Sequence, residues 1–336
     1  MPVKSRNTAA SVRQKLLNLA TSTGEDFGLV LTRYALERLL YRLSQSKYRD
    51  QFILKGAMLF QVWSRTPHRP TRDLDLLGRG EPSIEHCQDV FGALCRIRVE
   101  DDGLIFSAET VKAEKIKEEQ DYEGVRVRFL TRLDNARIRL QVDVGFGDAV
   151  NSGLLDYPTL LPMPAPRVLA YPMNTVVAEK LEAIVSLGMV NSRMKDFYDI
   201  WFLARTFPFQ AEALGAALRA TFERRKTRLY PAGLSVLLAE LSGDVTKRTQ
   251  WRAFLGKSRL TAPDDFALIN DAIREFLLCP AGAASAESQS SGSWPPNGPW
   301  QNRDEPSPQS REVLSQVRSN EPVAALPKQD SETRQD

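Results

Sequence analysis

The sequence contains few of the residues from which many catalytic and structural centres are built. Its 336 residues include three cysteines, Cys87, Cys95 and Cys279, and two histidines, His68 and His86. Three scattered cysteines cannot form a disulfide framework or a cysteine-type zinc site. Two histidines argue against a multi-histidine metal centre and against a Ser-His-Asp relay. We therefore expect any catalysis to depend on carboxylates, lysines and arginines.

Long apolar runs are missing as well. No stretch reaches the roughly 18 apolar residues that a membrane-spanning helix needs. The first residues, Met-Pro-Val-Lys-Ser-Arg-Asn, lack the apolar region of a secretory signal. Together with the scarcity of cysteine, these features predict a protein of the reducing cytoplasm that does not span a membrane.

The net charge of +3 is unevenly distributed along the chain. Residues 281–336 carry five basic and eight acidic residues, whereas residues 1–280 carry a net charge of +6. The same C-terminal stretch has ten Ser and seven Pro but only five Leu, Ile, Val, Phe or Met residues. Such a composition buries too little apolar surface to offset its ordering entropy, which predicts a disordered tail, dispensable for activity, over 281–336. The mildly basic remainder permits an anionic partner such as a nucleotide or a nucleic acid.

The remaining chain divides into a sheet-rich part, 1–170, and a helical part, 171–280. Hydrophobic periodicity predicts an α/β (α+β) fold with a mixed sheet flanked by helices and a helical C-terminal half. The predicted strands cover 71–77, 104–112, 124–130 and 136–144. The predicted helices cover 9–21, 27–46, 58–63, 83–96, 174–188, 194–206, 209–222, 231–242 and 263–278.

Two strands carry the most informative carboxylates. Asp73 and Asp75 alternate with Leu74 and Leu76, so both carboxylates point to one face of a strand. Asp143 lies opposite the apolar positions of its own strand. If the strands are neighbours, the three carboxylates form a ligand set for one or two Mg²⁺ ions, completed by nucleotide phosphates. The alternative is an ordinary solvated strand face.

Upstream of the carboxylates, Lys55-Gly56-Ala57 follows an apolar stretch and opens a short helix. Glycine there allows the backbone to approach a phosphate, and amides at a helix start favour anions. The alternative is a tight strand-to-helix turn with no ligand.

In their order, Leu-Lys-Gly-Ala, a helix, Thr-Arg-Asp-Leu-Asp-Leu and Val-Asp-Val resemble the DNA polymerase β-type nucleotidyltransferase fold. More narrowly, they resemble the AbiEii/AbiGii toxins of abortive-infection toxin–antitoxin systems. The resemblance implies that Asp73, Asp75 and Asp143 bind Mg²⁺ and that Lys55, Gly56 and Ala57 form the turn that holds the triphosphate. Ala57 replaces the second Gly or Ser of that turn, which removes one possible hydroxyl contact to phosphate.

The helical part repeats the resemblance. Ala178-Glu-Lys180-Leu-Glu-Ala183 and Arg193-Met-Lys195-Asp196-Phe-Tyr-Asp199 follow the order of motifs in AbiEii-type toxins. The resemblance covers about residues 50–205. It implies that Lys180 and Lys195 contact nucleotide phosphates, and that Asp196 orients a lysine or takes part in deprotonating the acceptor. Arg193 and Asp199 would support that arrangement.

Without the resemblance, ordinary structural roles remain open for these residues. Lys180 lies on an apolar stripe and can extend to water, in which case its replacement by Ala should leave the fold intact. Arg193, Lys195, Asp196 and Asp199 can form local ion pairs at a helix start. Arg126 and Arg128, Arg137 and Arg139, and the cluster at 224–228 are either basic contacts for nucleic acid or ordinary solvated charges.

The predicted function is Mg²⁺-dependent transfer of a nucleotide from an NTP to an acceptor, the 3′ end of tRNA being favoured by the resemblance, with a cognate antitoxin as partner. A second possibility is a nucleotidyltransferase that modifies a protein or a small molecule. A metal-dependent nuclease or an Asp-x-Asp glycosyltransferase is disfavoured by Lys55-Gly56-Ala57 and by the late Lys-Asp motif. A non-catalytic nucleotide-binding protein stays open because of Ala57.

Overall fold

The computed structural model of the chain describes residues 8–64, 69–80, 82–118, 122–147, 152–285 and 292–301. The N-terminal part has four helices and seven strands: α1 Thr8–Thr23, α2 Phe27–Ser44, β1 Phe52–Lys55, α3 Phe60–Trp63, β2 Asp73–Gly78, α4 Ile84–Arg96, β3 Leu104–Glu118, β4 Tyr122–Leu133, β5 Ala136–Phe146, β6 Gly153–Asp156 and β7 Arg167–Ala170. A 3-10 helix, Gly56–Leu59, joins β1 to α3.

These strands form one mixed sheet in the order β3-β4-β5-β2-β1-β7-β6. The pairs β2–β5 and β1–β7 are parallel, and the other neighbours are antiparallel. Alternation of buried and more exposed residues in β4 and in the first half of β5 defines one core face, with Val125, Val127, Phe129, Leu140 and Val142 buried. Helices α2 and α4 cover that face. The expected mixed sheet flanked by helices is confirmed.

Helices α2 and α4 begin where the sequence provides capping residues. The Asp26 carboxylate accepts the backbone N–H of Leu29 at 2.9 Å, and the Ser83 hydroxyl accepts that of His86 at 3.1 Å. Each cap satisfies one amide that the first helical turn would otherwise leave unpaired.

A buried ionic cluster ties α2 to the loops beside the sheet. Arg42 donates to both carboxylate oxygens of Asp102, at 2.6 and 3.2 Å. Glu37 accepts the backbone N–H of Leu160 at 2.7 Å through Oε2, and its other oxygen has no hydrogen-bond partner. Burial therefore raises the pKa of Glu37 to about 7.

The C-terminal part is helical: α5 Met173–Leu187, α6 Met194–Thr206, α7 Ala211–Arg224, α8 Pro231–Gly243, α9 Val245–Ser258 and α10 Phe266–Ala284. The change from strands to helices falls between Ala170 and Met173, next to the predicted boundary at 170/171. Sequence periodicity missed α9, β6 and β7. None of the helices in the described part of the chain is long and apolar enough to cross a membrane.

The prediction of a disordered tail starting at residue 281 is wrong for its first part. Residues 281–284 complete α10, and two-residue strands, β8 Phe209–Gln210 and β9 Ser293–Trp294, pair with each other. The Trp294 indole is buried and donates to the carbonyl of Ala204 at 2.7 Å, while the Trp300 indole donates to that of Phe276 at 2.9 Å. Composition averaged over 56 residues concealed two aromatic anchors. Residues 286–291 and 302–336 lie outside the described residues.

Candidate active site

The three predicted metal-binding carboxylates lie on adjacent strands and share one face of the sheet. Strands β2 and β5 are parallel neighbours, and their register pairs Asp75 with Asp143 and Asp73 with Gln141. Laterally paired residues point to the same side of a sheet. The parity argument from sequence is therefore confirmed for all three carboxylates.

Gly56 fixes the position of Asp75. It has a φ of +74°, and a Cβ at this residue would lie 2.0 Å from Asp75 Oδ2. Any side chain there would displace the carboxylate, besides straining a backbone conformation that favours glycine. Lys55 pairs with Asp75 across β1 and β2 and is buried, as is Ala57. The turn thus brings Lys55, Gly56 and Ala57 beside a carboxylate, while contact with phosphate stays a prediction.

Arg126 on β4 is ion-paired with Asp143, the third predicted metal ligand. Its Nε and one terminal nitrogen each lie 2.7 Å from an oxygen of Asp143. This hydrogen-bonded pairing raises the pKa of Arg126. Within the ranges that the structure describes, no group of three or more His, Cys, Asp or Glu side chains is arranged to hold a metal ion. The expected convergence of three carboxylates on one ion therefore requires Arg126 to release an oxygen of Asp143.

The helical part contributes a second set of charges, which is buried and densely paired. Lys180 Nζ on α5 lies 2.9 Å from Asp196 Oδ1 and 2.6 Å from Asp199 Oδ2, both on α6. Arg193 donates to the other oxygen of Asp196 at 2.6 Å. Arg69 donates to both oxygens of Asp199 at 2.8 and 2.9 Å. Both aspartates are fully buried, so each depends on its cations to stay charged.

These contacts shift the pKa values in the directions expected of a paired cluster. Burial alone would lower the pKa of Lys180, but Asp196 and Asp199 raise it above its ordinary value. Burial alone would raise the pKa of Asp196, but Lys180 and Arg193 lower it. Burial opposes the charge of Arg69 too, and Asp199 raises its pKa.

Two interpretations made from the sequence need correction. Lys180 does not extend to water, because its side chain is only 11% exposed and bridges two buried carboxylates. The expectation that Lys180→Ala leaves the fold intact is therefore wrong on structural grounds. Asp196 is a poor general base, since both its oxygens accept hydrogen bonds from cations and its pKa is lowered. Its geometry matches the other predicted role, which is to orient a lysine.

The two halves of the site meet at Asp73 and Lys195. Burial raises the pKa of Asp73, and the nearby charge of Asp143 raises it further, against the attraction of Arg126 and Lys195. Lys195 lies in the first turn of α6, is exposed, and has a pKa lowered by desolvation and by Arg193. No ion pair or hydrogen bond joins either side chain to another described residue. A carboxylate with a raised pKa and an ammonium that no described residue pairs with are thus close enough for the charge of Lys195 to act on Asp73.

Sequence reasoning missed Arg69 and underestimated Arg126. Arg69 lies in a proline-rich loop with no helical or strand periodicity, and its partner is 130 positions away in the sequence. Arg126 was noted only as part of a basic strand face. Its pairing with Asp143 follows from the strand register, which the alternation of polar residues on β4 and β5 could have suggested.

The comparisons with known proteins identify the family to which the chain belongs. The sequence model of the family described as "Nucleotidyl transferase AbiEii toxin, Type IV TA system" matches residues 38–277, more than half of the chain. No curated protein matches significantly.

Two solved structures are similar in fold. JHP933 from Helicobacter pylori is 14% identical, with a TM-score of 0.47 over 76% of this chain and 93% of that one. A second H. pylori protein, described as a candidate nucleotidyltransferase, is 16% identical, with a TM-score of 0.41 over 77% and 97%. The family assignment rests on the sequence match, which spans every strand from β1 to β7 and both charge clusters. The chain therefore belongs to the AbiEii nucleotidyltransferase toxins of type IV toxin–antitoxin systems.

Proposed function

We propose that the protein transfers a nucleotide from an NTP to the 3′ end of tRNA in a Mg²⁺-dependent reaction. The observation that supports this proposal best is the shared face of Asp73, Asp75 and Asp143, close to Lys195, a cation that no described residue pairs with. Hydroxyl attack on the α-phosphorus would form the new phosphodiester bond and release pyrophosphate.

The chemistry of the three carboxylates fits Mg²⁺. Hard oxygen ligands suit this cation. Burial, and after it the nearby charge of Asp143, raise the pKa of Asp73, so a bound cation would stabilise its charged form. Bound there, Mg²⁺ would stabilise charge on the α-phosphate and on the departing pyrophosphate. Gly56 keeps Asp75 in position, and Asp143 becomes available when Arg126 turns away.

The cations of the helical part would bind the triphosphate. Lys195 is exposed and its charge acts on Asp73, so it can donate to a phosphate without breaking an ion pair to any described residue. Lys180 and Arg69 already hold Asp196 and Asp199. Their role in this scheme is to keep the start of α6, and with it Lys195, in place beside the carboxylates.

Membership in a toxin–antitoxin family implies an antitoxin partner. We propose that the toxin acts in the cytoplasm, where NTPs and tRNA are present, and that uncontrolled nucleotide addition blocks tRNA use. Expression without the antitoxin should then slow bacterial growth, and Asp73→Asn should relieve that effect.

The direct test is incubation of the purified protein with each of four α-³²P-labelled NTPs, Mg²⁺ and total bacterial tRNA. Label should enter tRNA with one or two of the NTPs, and periodate-oxidised tRNA, which lacks an intact 3′ terminus, should stay unlabelled. Asp73→Asn should remove the labelling. A folded control, Arg79→Gln on the exposed bend after β2, should label tRNA as the wild type does.

Two results would contradict the proposal. Labelling of protein instead of tRNA in a whole-cell extract would mean that the acceptor is a protein, as in the alternative function. Equal labelling by wild type and Asp73→Asn would mean that the reaction takes place elsewhere in the molecule.

A further inference from the structure

One face of the sheet is open to solvent over β3, β4 and β5. Alternation of buried and exposed residues is regular here: Val127, Phe129, Ile138 and Leu140 are buried under α2 and α4, while their neighbours in sequence face outward. We call the outward side the open face and define it by its cations. These are Lys112 on β3, Arg126, Arg128 and Arg132 on β4, and Arg137 and Arg139 on β5.

The open face is the same face that carries the catalytic carboxylates. The register pairs Arg126 with Asp143, and two residues further along it pairs Arg128 with Gln141, next to Asp73. From Asp143 to Arg137, the six residue-to-residue steps along β5 extend about 20 Å. The cations therefore form a patch that begins at the carboxylates and leads away from them along two strands.

The end of this patch that is farthest from the carboxylates brings two positive charges close together. Arg132 and Arg137 are directly paired across β4 and β5, and both are exposed. Like charges in that position repel each other. No ion pair or hydrogen bond joins Arg132, Arg137 or Arg139 to another residue that the structure describes. An anion lying over the two strands would relieve the repulsion.

We propose that the open face binds the phosphate backbone of the acceptor RNA and guides its 3′ end to Asp73. This inference rests on the proposed function and specifies which surface holds the acceptor. The carboxylates would then separate two anionic substrates, with the triphosphate on the Lys195 side and the RNA backbone on the side of β4 and β5.

The composition of the open face indicates how RNA is recognised. It presents six cations and one exposed carboxylate, Glu114, which pairs with Arg128. No aromatic side chain is among its described residues, so bases have no platform on which to stack. Contacts to phosphate contribute affinity and orientation without reading sequence. We therefore expect binding that depends on salt concentration and is insensitive to base sequence.

The other basic cluster of the sequence is a weaker candidate. The Arg225 side chain is mostly buried, with its guanidinium 2.6 Å from Glu182 and 3.6 Å from Glu179 on α5. Thr227 also donates to Glu182 at 2.6 Å. These contacts join α7 to α5, so the centre of that cluster is already committed to the fold.

The test measures RNA binding apart from catalysis. Fluorescence anisotropy with a 3′-labelled tRNA, in EDTA and without NTP, compares wild type with Arg132→Glu/Arg137→Glu. The matched control is Arg167→Glu/Arg252→Glu, which makes the same change in net charge at exposed arginines on β7 and α9. Arg167 lies towards the other end of the sheet, five strands from β3 and three from β5 in the strand order.

We expect the open-face variant to bind tRNA on the order of tenfold more weakly, and the salt dependence of its log Kd to fall by about two units of slope. The control should bind as wild type does. A labelled RNA hairpin of unrelated sequence should show the same pattern, and binding of labelled NTP should be unchanged in both variants.

If the open-face variant and the control bind tRNA equally well, the open face is not the RNA surface and the proposal is overturned. Transfer activity separates this failure from failure of the proposed function. A variant that labels tRNA with the wild-type KM refutes only the docking surface, whereas a wild type that labels no RNA refutes the proposed reaction. Specific loss of binding to an acidic protein, with RNA binding intact, would likewise overturn the RNA assignment.

Discussion

The two carboxylate clusters of this protein differ in how completely their charge is neutralised. Asp196 and Asp199, on α6, are fully buried, and cations from three other parts of the chain occupy their oxygens. Asp73 is partly exposed, has no ion-pair partner among the described residues, and has a raised pKa. Asp143 lies between these extremes, paired with one arginine at the edge of the open face.

This difference separates structural charges from reactive ones. A buried aspartate with a full set of cations fixes the positions of the elements that supply those cations, and it has little capacity left for a ligand. A carboxylate that its neighbours repel gains most from an incoming cation. Motif spacing alone does not show this difference, because the cations that pair with each aspartate come from elements distant in sequence.

The largest effect on stability is expected at Lys180, in the fully paired cluster. Replacing it by Met, which keeps the length of the side chain, should lower the free energy of unfolding by about 4 kcal/mol, since Asp196 and Asp199 would lose a shared buried cation. Urea denaturation followed by circular dichroism measures this change. A loss below about 1 kcal/mol would contradict the view that this cluster is structural.

Asp73→Asn should leave stability almost unchanged but strongly reduce activity. It removes a charge that no described residue pairs with, so the urea midpoint should stay close to that of the wild type. Nucleotide transfer should fall roughly 10²- to 10³-fold, as expected when a group that stabilises transition-state charge is lost. Paired measurements of tRNA labelling and of unfolding check both parts. Strong destabilisation would show that Asp73 belongs with the structural carboxylates.

Glu37 provides a third, incompletely paired carboxylate, buried away from the site. Its pKa of about 7 in the folded protein exceeds its ordinary value of 4.5. The folded state therefore keeps a proton that the unfolded chain loses, so this residue lowers stability as pH rises through that window. Relative to wild type, Glu37→Gln should gain roughly 2 kcal/mol between pH 5 and pH 8, measured by urea unfolding at both pH values. If the difference in unfolding free energy between Glu37→Gln and wild type is the same at both pH values, Glu37 is ionised in the folded protein from pH 5 to pH 8.

Lys195 should show the smallest effect. It lies next in sequence to Asp196 but outside the paired cluster, so Lys195→Ala should change the free energy of unfolding by less than about 0.5 kcal/mol. The KM for the NTP should rise about tenfold, because one phosphate contact is lost. Steady-state transfer at varied NTP concentration measures it. A drop in kcat with constant KM would assign Lys195 to the transition state instead.

The sequence alone predicted that the three carboxylates share one face of the sheet. It did not predict the residues that pair with the aspartates of the site. The parity of Asp73, Asp75 and Asp143 follows from the period of a strand, which local sequence determines. The partners of Asp199 and Asp143 depend on contacts across 130 and 17 positions of sequence, respectively. Local patterns cannot specify such contacts. The same limit explains Lys180, whose apolar neighbours were compatible both with extension to water and with burial against α6.

Trp294 and Trp300, which follow α10, determine how far the protein can be shortened from its C-terminal end. Trp294 holds the carbonyl of Ala204 near the end of α6, and Trp300 stacks on Phe276 with ring centroids 6.1 Å apart. The family match ends at residue 277, and a truncation after Pro280 would remove both indoles together with the last turn of α10. A minimal protein for crystallisation or for antitoxin capture should therefore extend through Gln301. Cutting earlier would expose the apolar side chains that the two indoles cover, Phe276 among them, and such a fragment would be prone to aggregate.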